Sequence, residues 1–181
     1  SADTAKEFIA AANGIDIVIA NAGVAYSDKI SSGEATQINQ VFSTNVLGVT
    51  NSIIPFVPTM KENSSGKIVI ISSIASFRPI AFHGGYSASK SAVRMLADSW
   101  RMALKKYKIQ ITAICPGFIV SEMTDENKFP MPFLLETEDA ARKMVKAIDN
   151  GKKTYILPWQ VKMILYATRW LPTPLYYKIF F

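Results

Sequence analysis

Tyr86 and Lys90 stand four apart in Tyr-Ser-Ala-Ser-Lys, near the start of a helically patterned stretch, so their side chains share one face. A phenol titrates near pH 10 in water and is a poor acid or base at neutrality. An ammonium within reach favours the phenolate, and the helix N-terminus adds positive potential in the same sense. Such a pair is suited to proton exchange with a substrate oxygen. Ser73 closes Ile70-Ile71-Ser72-Ser73, thirteen residues upstream of Tyr86, and its hydroxyl is able to donate to the same oxygen. Asn45, in Thr-Asn-Val-Leu-Gly, is a poor mid-helix residue whose cost something must offset. One reading is a local kink whose freed carbonyl holds a water; the other is a polar residue on an exposed face. Taken singly, a Tyr–Lys pair packs at a surface and Ser72-Ser73 satisfies the next loop.

Positioning these groups requires strands and helices in alternation. Residues 3–13 read as the end of a helix stopped by Asn13-Gly14. Ile15–Ala20 is a buried strand running into Asn21-Ala22-Gly23. Helical spacing runs from Glu34 to about Met60, bent or ended by Pro55 and Pro58. Lys67–Ser72 is a second strand, and Tyr86 to Tyr107 a second long helix. Ile109–Ile114 is a third strand broken by Cys115-Pro116-Gly117. Glu136–Asn150 is a helix with Thr137 as its cap and Gly151 as its stop, and Thr154–Leu157 is a fourth strand. Strands this apolar have no solvated face, which predicts an α/β domain with a parallel sheet covered on both sides. In such sheets ligands sit beyond the carboxyl ends of the strands, where Ser73 falls.

The 181 residues suit one domain, and 49% hydrophobic with 19% charged residues is globular composition. There is no signal-peptide pattern and no run of about 18 consecutive apolar residues. The net charge of +6 is scattered, without an arginine-rich tract, so no nucleic-acid partner is expected. One cysteine, Cys115, excludes an intrachain disulfide and suits a reducing compartment, so a cytoplasmic location is expected. Cys115 itself reads as a buried structural thiol.

Five motifs in order, Asn21-Ala22-Gly23 after a strand, Asn45 before Val-x-Gly, Ile-Ser-Ser, Tyr-x-x-x-Lys and Cys115-Pro116-Gly117 after a strand, resemble the short-chain dehydrogenase/reductases over residues 1–157. The resemblance implies a Rossmann-like sheet with helices on both faces and hydride transfer between NAD or NADP and an alcohol or carbonyl substrate. It makes Tyr86 the general acid/base, and Lys90 the group that lowers its pKa and holds the nicotinamide ribose. Ser73 would orient the reacting oxygen, and Asn45 would hold a relay water. Asn21, Ala22 and Gly23 would line the adenosine side of the cofactor cleft. Pro116, Gly117, Ile119 and Ser121 would face the nicotinamide, with Ser121 where the family commonly has Thr. A non-catalytic binding protein of the same fold, and an epimerase or dehydratase, remain alternatives. A homo-oligomer acting on a small-molecule alcohol or ketone is expected, with no metal.

The chain departs from the family pattern in lacking any Gly-x-x-x-Gly-x-Gly or Gly-x-Gly-x-x-Gly turn, the segment that admits a pyrophosphate to a helix N-terminus. The expectation is that roughly 70 to 90 residues, about three strands, precede this part in the family layout. This polypeptide alone would then be inactive and would expose Ile15–Ala20 as a self-associating edge. Ser76 stands where the family usually has Gly, with little effect expected. Residues 158–181 form an apolar tail, split by Pro172 and Pro174 and interrupted by Lys162, Arg169 and Lys178. Packing on the domain or a dimer partner, a lid, and a peripheral membrane contact are its three readings. The last two imply a bulky apolar substrate such as a steroid, retinoid or fatty-acyl derivative.

Overall fold

The computed structural model describes residues 2–12, 14–125 and 130–180. Asn13, expected to help end the first helix, and Phe181, counted in the tail, lie outside the described residues. Helix α1 (Ala2–Ala12) leads to strand β1 (Ile17–Ala20), then α2 (Thr36–Phe42), a π-helical turn (Ser43–Leu47), α3 (Gly48–Ile53) and α4 (Val57–Glu62). Strand β2 (Gly66–Ile71) precedes the long α5 (Gly84–Leu104), and β3 (Ile109–Pro116) precedes the short α6 (Glu122–Asp125). Helix α7 (Thr137–Asp149), β4 (Thr154–Leu157), α8 (Trp159–Thr168) and α9 (Thr173–Phe180) complete the chain.

The four strands are parallel in the order β1-β2-β3-β4, registered through pairs such as Ile19 with Val69, Ile68 with Ile111 and Cys115 with Ile156. Parallel strands buried on both faces must be apolar at consecutive positions, and Ile68, Val69 and Ile70 are all buried. One face packs Val18, Ile68, Ile70 and Ile111 against Val49 and Ile53 of α3 and Val93 and Ala97 of α5. The other packs Val69, Ile114 and Leu157 against Ala140, Ala147 and Ile148 of α7. This is the expected Rossmann-like arrangement.

Several expected boundaries move. Strand β3 runs on through Cys115 and Pro116 instead of breaking there, because β4 supplies a partner for both. Pro55 and Pro58 do not end the second helical stretch. Pro55 sits in a 3-10 turn over Ile54–Phe56 and Pro58 in the first turn of α4, where a missing N–H costs nothing. Thr137 does not cap α7: its hydroxyl donates to the Val120 carbonyl at 2.6 Å, and Glu136 holds the cap position without a side-chain bond. The stretch Thr36–Glu62 has the length and composition of a membrane span, yet Val41, Val49, Ile53 and Met60 are buried within the domain. Strand β1 has one solvated face after all, since Ile17 and Ile19 are 42% and 54% exposed beyond the reach of α7.

Candidate active site

The carboxyl ends of β1, β2 and β3 meet the N-terminal turns of α5. Helix α5 begins at Gly84, and its first exposed amides need acceptors. One comes from a distance: Asp28, in the loop after β1, takes the Gly85 N–H on both carboxylate oxygens at 3.1 Å. The same residue's backbone N–H donates to the Phe82 carbonyl at 2.6 Å. A Cβ on Gly84 would fall 2.8 Å from Asp28 Oδ2, so the glycine is what lets the carboxylate approach.

Asn45 lies in the π-helical turn and is fully buried, which overturns the exposed-face reading. Its Oδ1 accepts from the Val24 N–H at 2.8 Å, and its Nδ2 donates to the Val24 carbonyl at 2.9 Å and to Ser89 Oγ at 3.0 Å. Ser89 Oγ donates in turn to the Tyr86 carbonyl at 2.7 Å. One amide thus ties the loop after β1 to the turn of α5 that carries Tyr86. The π-turn explains how a residue with poor helix propensity is tolerated here, its local distortion being offset by three side-chain hydrogen bonds, the one to Ser89 buried and the two to Val24 partly so.

Ser73 is nearly buried beyond the end of β2, and its Oγ accepts from the Ala75 N–H at 3.1 Å. It therefore serves the loop backbone and also touches the Tyr86 hydroxyl. Ser72 Oγ donates to the Lys90 carbonyl at 2.8 Å, and Lys90 Nζ donates to the Ile71 carbonyl at 2.9 Å. Ser76 is buried rather than incidental. It donates to the Ser73 carbonyl at 2.6 Å and accepts from Arg94 Nε at 3.1 Å, so this hydroxyl helps hold the Ser73 turn.

The electrostatics differ from the spacing argument. Burial pushes the Tyr86 phenol above its ordinary value, and the Ser73 hydroxyl's hydrogen bond is what opposes the rise. Lys90 Nζ sits 5.8 Å from the phenol ring centroid, and burial lowers that ammonium from 10.5 to about 8. The expected depression of the phenol by Lys90 is therefore absent from this structure. Desolvation sets the direction of the shift, and at neutral pH the phenol holds its proton.

Two cavities flank these side chains. A cleft of about 640 Å³ is lined by Asn21, Ala22 and Gly23 just after β1, by Tyr86 and Lys90 from α5, by Pro116 at the end of β3, and by Gly117, Ile119 and Ser121 beyond it. All nine residues expected around a cofactor thus border one space. A Cβ on Gly23 would meet Lys90 Nζ at 3.1 Å and Asn45 Oδ1 at 3.3 Å. A smaller, mostly apolar cavity of about 120 Å³ includes Ile74, Ile80, His83 and Phe118. Ser73, Tyr86, Gly117, Met123 and Thr124 border both, so the hydroxyls of Ser73 and Tyr86 stand where the two meet. Among the described residues, neither cavity is lined by one beyond Met144.

Asp28, Ser89, His83 and Thr124 escape the sequence reading. Thr124 Oγ1 donates to the Ile119 carbonyl at 2.7 Å and accepts from the Ser121 N–H at 2.9 Å, fixing the turn that follows β3. A threonine three residues after a predicted site residue is the only local signal for it.

Comparison with known proteins agrees with this geometry. The family model described as short chain dehydrogenase matches residues 2–130. An uncharacterized oxidoreductase of Myxococcus xanthus is 38% identical over 92% of this chain and 66% of its own length. The ketoacyl reductase HetN of a Nostoc species is 33% identical over 75% of this chain and 49% of its own. Among solved structures, a short-chain dehydrogenase from Sphingobium yanoikuyae in complex with NADPH superposes with a TM-score of 0.74 at 25% identity, covering 86% of this chain and 60% of that one. The chain spans about half to two thirds of the length of these relatives. With its parallel sheet, its ordered motifs and a match over most of its length, the chain belongs to the short-chain dehydrogenase family.

Proposed function

We propose that this protein is an NAD(P)-dependent alcohol dehydrogenase or carbonyl reductase whose site is Ser73, Tyr86, Lys90 and Asn45. The observation that carries the reading is the pair of hydroxyls, Ser73 and Tyr86, on the wall shared by the two cavities. The larger cleft suits the sugar and nicotinamide end of a dinucleotide. Gly23 leaves the room that a Cβ would take beside Lys90, and the Lys90 ammonium offers a donor on the same wall. Bound NAD or NADP supplies or accepts the hydride. Ser73 orients the substrate oxygen, and Tyr86, which holds its proton at neutral pH, gives it to that oxygen in carbonyl reduction. Lys90 holds the ribose and keeps positive charge behind the phenol. Asn45 acts by fixing the loop after β1 against α5.

The smaller cavity, mostly apolar, supports a small or slender apolar group next to the reacting carbonyl. A second copy is the partner best supported. Leu47 and Ile54 from the α2–α4 stretch, and Met95 and Met102 from α5, are each seven apart and 47–76% exposed, which leaves apolar stripes suited to helix–helix pairing. A cytoplasmic setting is consistent with the lone thiol.

A second reading is a binding protein of the same fold without turnover. Titration with NADH and NADPH, followed by a panel of apolar ketones with both cofactors, separates the two. Cofactor-dependent ketone reduction supports the enzyme. Binding without turnover of any ketone or alcohol sinks it and leaves the second reading.

A further inference from the structure

Helix α8 is held to the domain in an unusual way. Val161 and Thr168 face inward, each 8% exposed, while its C-terminal carbonyls are gathered by one guanidinium. Arg78 NH2 takes the carbonyls of Thr168 at 2.6 Å, Arg169 at 3.0 Å and Leu171 at 3.0 Å. Such a clamp satisfies acceptors that a helix end leaves open, and it fixes the helix without covering its apolar residues. Trp159, Met163 and Tyr166 of α8 are spaced by four and three residues, the repeat of a single helical face, and Trp170 follows in the turn just past the helix. They are 69%, 57%, 49% and 86% exposed.

The charges around this stripe are of one sign. Lys162 lies 5.6 Å from the Tyr166 ring centroid and Arg169 lies 5.9 Å from that of Trp170, so both cations flank the stripe. Between Asn150 and Phe181 the sequence has Lys152, Lys153, Lys162, Arg169 and Lys178 and no Asp or Glu. Ten residues of α8 make a rod of about 15 Å, half the thickness of a hydrocarbon core, so the helix has the reach to lie on a bilayer and not to cross one.

We propose that the outward stripe of α8 docks this protein peripherally on an anionic lipid surface. Trp and Tyr favour the headgroup boundary, and flanking cations gain from negative lipid. A second copy of the chain fits this face poorly. A two-fold interface would gather Lys162 and Arg169 of both copies on one face with no carboxylate in the segment to pair them. The inference concerns adsorption and stands apart from the reaction proposed above; its test reads no turnover.

The experiment is co-sedimentation of the intact protein with vesicles of phosphatidylcholine alone and of an equal mixture with phosphatidylglycerol. The wild type is expected to pellet with the mixture and to stay in solution with phosphatidylcholine or at high salt. Replacing Lys162 and Arg169 together with Gln should weaken adsorption about thirtyfold. Trp159→Ser with Trp170→Ser should weaken it at least as much, while circular dichroism shows the helix content unchanged. Equal sedimentation with both vesicle types, wild-type retention by the double tryptophan variant, or a wild type that never pellets would overturn the proposal. So would a dimer in lipid-free buffer that Trp170→Ser dissociates, which assigns the stripe to self-association.

Discussion

The turn that carries Tyr86 and the helix that carries Trp159 are both short helical pieces attached to the end of the sheet, and they are anchored by opposite means. Around Tyr86 every restraint is polar and inward. Asp28 takes the Gly85 amide, Asn45 and Ser89 tie the loop after β1 to the Tyr86 carbonyl, and Lys90 donates to Ile71. In α8 one arginine gathers the carbonyls at the helix end, Val161 and Thr168 pack inward, and the large side chains of Trp159, Met163 and Tyr166 are exposed. Buried polar networks fix geometry because each broken bond leaves an unsatisfied group in low dielectric. A helix clamped at one end and apolar outside is built instead to meet something. Precision belongs to the first region and contact to the second.

Substitutions that cut one region and spare the other test this contrast. The largest effect is expected from Tyr86→Phe, which should lower kcat by about 10³-fold with NADPH affinity nearly unchanged by fluorescence titration. Activity within a few-fold of wild type would remove Tyr86 from the chemistry. Lys90→Met should also abolish most turnover, and it carries a stability signature of its own. Unfolded, this ammonium titrates at 10.5; folded, at about 8. Between those values the unfolded chain binds more protons, so this group's contribution to stability rises with pH across that window. Below pH 8 the burial cost stands in full, on the order of 3 kcal/mol. Denaturant titrations of Lys90→Met should therefore lose that rise, and an unchanged pH slope would count against a buried ammonium.

Asp28→Ala should cost about 1 kcal/mol of stability as a lost helix cap and lower kcat more than it raises KM, with Asp28→Asn recovering most of both. A change in KM alone would show that Asp28 positions nothing in the reaction. Gly23→Ala should cost about 1–3 kcal/mol by overpacking against Lys90 and Asn45, read as a lower melting temperature and weaker NADPH binding. The smallest effect on turnover is expected from Arg78→Ala. It should leave kcat within about twofold while raising hydrogen exchange in α8 and α9. A large loss of kcat there would join the two regions that the contrast separates.

The sheet is legible in the sequence because buried parallel strands must be continuously apolar, and Ile68–Ile71 falls where that rule puts it, while in β4 only Ile156 and Leu157 obey it. Strand ends misread by a residue or two, as at Pro116, depend on whether a neighbour supplies the next pair. The cleft-lining residues are reachable only through the resemblance to a family whose motifs place small residues at strand ends. Asp28 and Gly85 are 57 positions apart and Asn45 and Ser89 are 44 apart, and no local periodicity records such a meeting. The titration of Tyr86 is hidden for a related reason. Spacing reveals that a lysine is near, but burial decides the sign, and burial belongs to the folded whole.

Cys115 sits at the end of β3 with no solvent exposure, and burial pushes its thiol up to about 11. A maleimide or disulfide reagent should therefore ignore the native protein and react only after the sheet opens. The chain thus carries a built-in timer for its own unfolding. Its labelling rate in native buffer reports how often the centre of the molecule comes apart.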